Sequence, residues 1–191
     1  KSFGPRQILA GASFAVHERD RIGMIGANGA GKTTLLRIIT GDLVPHEGAV
    51  TRSGGLGVMR QMVTHENEGR SVHDLLLSVS PPRVRAAAEQ VDACELAMME
   101  DDDEKTQMRY AAAHAEWADA GGYDVEVTWD VCCTSALGVP YDRAKYRELT
   151  TLSGGEQKRL VLEFLLRGPD EVLLLDEPDN FLDVPGKTWL E

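Results

Sequence analysis

Gly26-Ala27-Asn28-Gly29-Ala30-Gly31-Lys32-Thr33 is the stretch on which the reading of this 191-residue chain turns. It satisfies the spacing G-x-x-x-x-G-K-[ST]. Each residue type there has a physical reason. The glycines let the backbone curl so that several N–H groups converge on an anion. A helix beginning near Lys32 adds the positive end of its dipole at the same place. Lys32 brings a full charge to the outer phosphates, and the Thr33 hydroxyl is a hard oxygen ligand suited to Mg²⁺. A dinucleotide-type glycine fingerprint does not fit, because Thr34 stands where its third glycine would fall.

The flanks match a phosphate loop. Residues 12–18 alternate, with Phe14 and Val16 on one face, and read as a strand. Residues 21–25 read as a second strand running into the loop. Lys32–Thr40 is apolar at helical spacing, through Leu35, Leu36, Ile38 and Ile39, with Gly41 as its cap. Residues 48–51 and 56–60, around Ser53-Gly54-Gly55, read as a hairpin.

Farther on, Val172-Leu173-Leu174-Leu175 is a continuous apolar run of the buried parallel kind, ending on Asp176-Glu177. A strand that ends on two carboxylates resembles a Walker B strand, and the resemblance implies that one would hold a metal ion and the other an attacking water. Residues 153–167 read as a helix. Ser153 and Glu156 have capping-box spacing, and Gly168-Pro169 closes the end. Between these parts, Pro81-Pro82 marks a break. Residues 83–100 and 105–118 are rich in Ala, Met and charge at helical spacing, separated by Glu100-Asp101-Asp102-Asp103-Glu104. They read as a helical hairpin with a solvated acidic turn.

Composition sets bounds on the rest. The apolar fraction, 42%, suits a packed core. No apolar run approaches the roughly 20 residues of a spanning helix, so no membrane insertion is expected. Cys94, Cys132 and Cys133 are an odd set with two neighbours adjacent, which fits a reducing cytoplasm better than a disulfide framework. A net charge of −11 argues against sequence-blind nucleic-acid binding by the chain as a whole.

Leu152-Ser153-Gly154-Gly155-Glu156-Gln157 lies between the phosphate loop and the acid-ended strand. Taken alone it is a capped helix start behind bare glycines. Together the three motifs resemble the ATP-binding cassette (ABC) family, whose signature is LSGGEQ and whose motif order is the same. The resemblance implies an α/β P-loop NTPase fold with a RecA-like core, an N-terminal antiparallel β subdomain and a helical subdomain. It implies one cassette divided into a β subdomain and phosphate-loop core (1–61), a helical subdomain (62–150), and a signature helix, Walker B strand and D-loop (151–191).

For the site it implies ATP held by Gly26, Ala27, Asn28, Gly29, Ala30, Gly31, Lys32, Thr33 and Thr34, with Phe3 stacking on adenine. Mg²⁺ would be held by Thr33, Gln61 and Asp176, with Glu177 as general base. Ser153, Gly154, Gly155, Glu156 and Gln157 would address the ATP of a facing second cassette, expected in the same full-length chain.

Glu177-Pro178-Asp179-Asn180-Phe181-Leu182-Asp183 resembles the E-P-T-N-H-L-D of the ABC-F proteins, with Asp179 and Phe181 departing from it. Gln61 and Ser153 lie 92 positions apart, long for a transporter cassette. Residues 83–118 are therefore the candidate for the extra arm that ABC-F proteins carry in their first cassette. The implied function is that of a cytoplasmic, ribosome-associated ATPase, in translation or in antibiotic resistance by ribosome protection. The alternative is the ATPase subunit docked on a membrane transporter chain. All five histidines precede Asp176, whereas the family places a switch histidine after the D-loop. The chain is accordingly expected to be a C-terminally cut cassette with little activity on its own.

Overall fold

The computed structural model describes residues 2–3, 6–7, 9–59, 68–101 and 103–178. The chain forms two compact units, residues 1–54 and 55–191.

In the first unit, strands β1 (Ser2–Phe3) and β2 (Arg6–Gln7) form a short antiparallel ladder. Helix α1 (Lys32–Thr40) follows the phosphate loop and buries Leu36 and Ile38. Gly41 closes it in the left-handed conformation (φ 86°), its N–H donating to Ile38 O. A side chain there would be strained, which is why glycine ends the helix.

The strands expected over 12–18 and 21–25 do not form. These residues are described and carry no ladder, and Phe14 and Ile25 are exposed. Between them a turn does form, with Asp20 N–H donating to His17 O and His17 N–H to Asp20 Oδ2. Alternation shows that a segment has a face to bury. A strand also needs a neighbour's backbone to pair with. The antiparallel β subdomain is thus represented, among the described residues, by the β1–β2 ladder alone.

The second unit holds the main core. Strand β3 (Leu56–Met59) pairs in parallel with β4 (Val172–Leu175), in register from Leu56 opposite Val172 to Met59 opposite Leu175. The expected hairpin of 48–51 with 56–60 is therefore replaced. Its second arm pairs with the distant apolar run, and 48–51 forms no strand. The pairing suits a fully apolar strand, which needs cover on both faces. Gly57 helps, because a Cβ there would lie 2.7 Å from Leu173 Cδ2.

Helices make up the rest: α2 (Val72–Val79), α3 (Pro82–Glu100), α4 (Glu104–Asp119), α5 (Gly122–Leu137), α6 (Tyr141–Ala144) and α7 (Gly154–Arg167). The hairpin expected over 83–118 is present as α3 and α4, packed on each other with Tyr110 Oη donating to Glu95. Its acidic turn has a structural use. Asp103 caps α4 by accepting from Thr106 N–H at 2.7 Å, and these bonds hold its carboxyl below the usual range. Helix α5 follows at once, its Gly122 so close under Trp117 that a Cβ would lie 2.0 Å from the indole ring. The core gathers Met59, Leu76, Trp129, Leu149, Leu160 and Leu162. Cys132 and Cys133 are buried in it as thiols, and burial pushes them up to about 11 and about 12, so neither is an activated nucleophile. No helix among the described residues is long and apolar enough to cross a membrane.

Candidate functional site

Glycine geometry shapes the loop of the first unit. Gly29 (φ 78°) and Gly31 (φ 100°) are both left-handed, and Ala30 N–H donates to Ala27 O across the turn. Gly31 is the N-cap of α1, and no side chain caps the helix there. The first turn of α1 therefore meets the loop as a bare helix N-terminus, the arrangement that favours an anion. Lys32 Nζ folds back over the loop, donating to Gly26 O at 2.7 Å and Ala27 O at 3.2 Å. Its charge sits at the loop mouth. Asn28 and Ala30 are exposed on the loop, as is Thr33 on α1, with Thr34 next to it half-buried.

The acid pair lies in the second unit. Asp176 N–H donates to Met59 O at 3.1 Å, which extends the β3–β4 pairing one residue past the strand. Asp176 and Glu177 are both half-buried. Glu177 has φ 50°, a left-handed backbone that costs a residue with a side chain about 1–2 kcal/mol. Its carbonyl accepts from Lys158 Nζ at 2.8 Å. Strain of this kind persists only where neighbours fix it, and it concentrates at functional sites.

Helix α7 carries the signature. Ser153 Oγ accepts from Glu156 N–H at 3.2 Å, and Ser153 N–H donates to Glu156 Oε2 at 2.7 Å. The box is complete. Ser153 and Gly154 are exposed at the helix start, and Gly155 and Glu156 are half-buried. Gln157 turns inward, donating to Leu149 O at 2.8 Å and Leu152 O at 3.2 Å, so it braces the approach to the helix. The Ser153 hydrogen bonds, backbone first, hold the Glu156 carboxyl below its ordinary range. A lowered folded value means that this contribution is complete above about 4.3, the unfolded carboxylate value, and is lost as the pH falls through the folded one. Ser153→Ala is expected to cost about 1 kcal/mol of stability, as N-cap removals do, read as a lower urea midpoint at neutral pH.

A family model described as ABC transporter matches residues 9–180. The chain belongs to that family. Its phosphate loop, signature and acid-ended strand all fall within the match. Among relatives, the cassette is 59% identical, over 97% of its length, to an antibiotic resistance protein of Mycobacteroides abscessus. It is 34% identical over its whole length to the tylosin resistance ATP-binding protein TlrC of Streptomyces fradiae. It is 28% identical, again throughout, to the energy-dependent translational throttle protein EttA of Mycobacterium tuberculosis. The cassette spans about a third of the length of these curated relatives, 34%, 35% and 34%.

The structure thus brings Asp176, Glu177 and the start of α7 into one unit and places residues 26–34 in the other. Gln61, the D-loop from Asp179 onward and the side chain of Phe3 lie outside the described residues. Sequence reading passed over Lys158. A lysine next to a signature glutamine reads as solvated, and only the fold reveals it as 3% exposed against the Glu177 backbone.

Proposed function

We propose that the chain is the first cassette of an ABC-F type ATPase that binds and hydrolyses ATP with Mg²⁺ and acts on ribosomes in the cytoplasm, in antibiotic resistance by ribosome protection or in translation. The observation that supports it most is the likeness, along nearly the whole chain, to a protein named for antibiotic resistance. In this reading the backbone of residues 26–33 and the first turn of α1 cradle the phosphates, with Thr34 alongside. Lys32 exchanges its loop carbonyls for the outer phosphates. Thr33 and Asp176, joined by Gln61, supply the hard oxygens that Mg²⁺ prefers, and the donor set fits that ion because Mg²⁺ takes few protein oxygens alongside phosphate. The ion would neutralise charge on the phosphates. Glu177 takes the proton of the attacking water. Ser153, Gly154 and Gly155 address the ATP of a facing second cassette, with Glu156 and Gln157 holding that helix start in shape, and Phe3 stacks on adenine. Residues 62–150 serve as helical subdomain, with α3 and α4 as the arm.

Co-sedimentation tests the role. The full-length protein carrying Glu177→Gln, and the same change in a second cassette, is expected to pellet with ribosomes only when ATP is present. Absence from ribosomes and recovery on membranes would replace this reading with a transporter ATPase.

A further inference from the structure

Lys158 is the fifth residue of α7, one position past the signature run, and is 3% exposed. A buried ammonium is costly unless it is paired. One partner here is the backbone carbonyl of Glu177, at 2.8 Å. Glu177 is also the residue held at φ 50°. A charged donor on that carbonyl is the kind of neighbour that keeps a strained peptide in place, because the bond is charge-assisted and partly buried. The path from Lys158 back to Ser153 is short and stiff. They lie five positions apart along a capped helix, little more than one turn, and the helix is packed on α5.

We propose that Lys158 is a positioning residue: it sets the Glu177 backbone, and so the direction of the Glu177 carboxylate, from the second turn of the signature helix. A displacement of the helix start, such as a ligand at Ser153 would impose, then reaches Glu177 through the Lys158 side chain. The inference rests on the reading of Glu177 as general base.

The test uses the full-length protein with Mg²⁺ and ATP, measuring kcat, KM and equilibrium binding of a fluorescent ATP analogue for Lys158→Met, Lys158→Arg and Glu177→Gln. Lys158→Met is expected to lower kcat about ten-fold, the scale of one lost charge-assisted hydrogen bond, with KM and analogue binding unchanged. Lys158→Arg, which keeps a charged donor, is expected to restore most of kcat. A packing role alone would lower folded protein, binding and turnover together. Full kcat in Lys158→Met, or loss of kcat and binding in parallel, overturns the proposal. Should Lys158→Met fail to fold, Lys158→Leu decides, since it too removes the donor to the Glu177 carbonyl: reduced kcat with intact binding supports the role, and unchanged kcat ends it. The two readings fail separately. Full turnover in Glu177→Gln removes the general base itself. An inactive Glu177→Gln beside a fully active Lys158→Met removes only the positioning.

Discussion

Glu177→Gln is expected to lower ATP turnover about 10²–10⁴-fold, the usual worth of a positioned general base, while ATP binding persists. The substitution is nearly isosteric. It exchanges one carboxylate oxygen for an amide and leaves the backbone carbonyl that Lys158 holds. The parallel pairing of Asp176 N–H with Met59 O is likewise a backbone feature and survives. What changes is the capacity to accept a proton. In the proposed reading the phosphates are held by residues 26–33, a different stretch of chain, so affinity has no reason to fall with turnover. Single-turnover hydrolysis of labelled ATP, set beside equilibrium binding, separates the two. Turnover near the wild-type rate would move the base to another residue.

The parts of this cassette that were legible in sequence are those whose physics is local. The phosphate loop announces itself because glycine spacing, left-handed turns and a following helix all fall within a few residues. The signature helix does so because Ser153 and Glu156 close a capping box on themselves. The α3–α4 hairpin was readable from its Ala-rich, charged composition and the acidic break between its arms. Pairing was not legible. Residues 12–18 and 21–25 have the alternation of strands, yet alternation does not supply a partner. Residues 56–59 have the look of a hairpin arm, yet they pair with a run more than a hundred residues away. Helix α5 was missed for a related reason. Its Gly-Tyr-Asp-Val-Glu-Val-Thr-Trp start is β-branched and aromatic, with poor helix propensity, and burial of Trp129, Cys132 and Cys133 is what holds it helical. By contrast, α2 carried a readable signal in Ser71-Val72-His73-Asp74, a capping box that the structure completes, with Ser71 N–H donating to Asp74 at 2.7 Å. The burial of Lys158 had no local signature.

Trp129→Ala is expected to be the most damaging change in the helical core, costing about 3–5 kcal/mol, the range of large aromatic truncations. Trp129 is fully buried on α5. Its ring meets His73 edge-on at 5.4 Å, Tyr141 at 5.3 Å and Trp117 at 6.3 Å, so one side chain joins α2, α4, α5 and α6. Two of these neighbours are tied to each other, His73 Nδ1 lying 2.6 Å from Tyr141 Oη. That tie limits how far the walls can relax into the void, and a cavity that cannot collapse costs most. Trp129→Phe should behave differently. Among the described residues the Trp129 Nε1–H has no hydrogen-bond partner, and phenylalanine removes that buried donor along with part of the ring. The lost packing is then offset by relief of an unsatisfied polar group. Urea unfolding of the two variants reads the difference: a large fall in midpoint for alanine and a much smaller one for phenylalanine. Equal losses would mean that the indole N–H contributes to stability through a bond of its own. Since a domain's net stability is only about 5–15 kcal/mol, the alanine variant is expected to sit close to unfolding at ambient temperature.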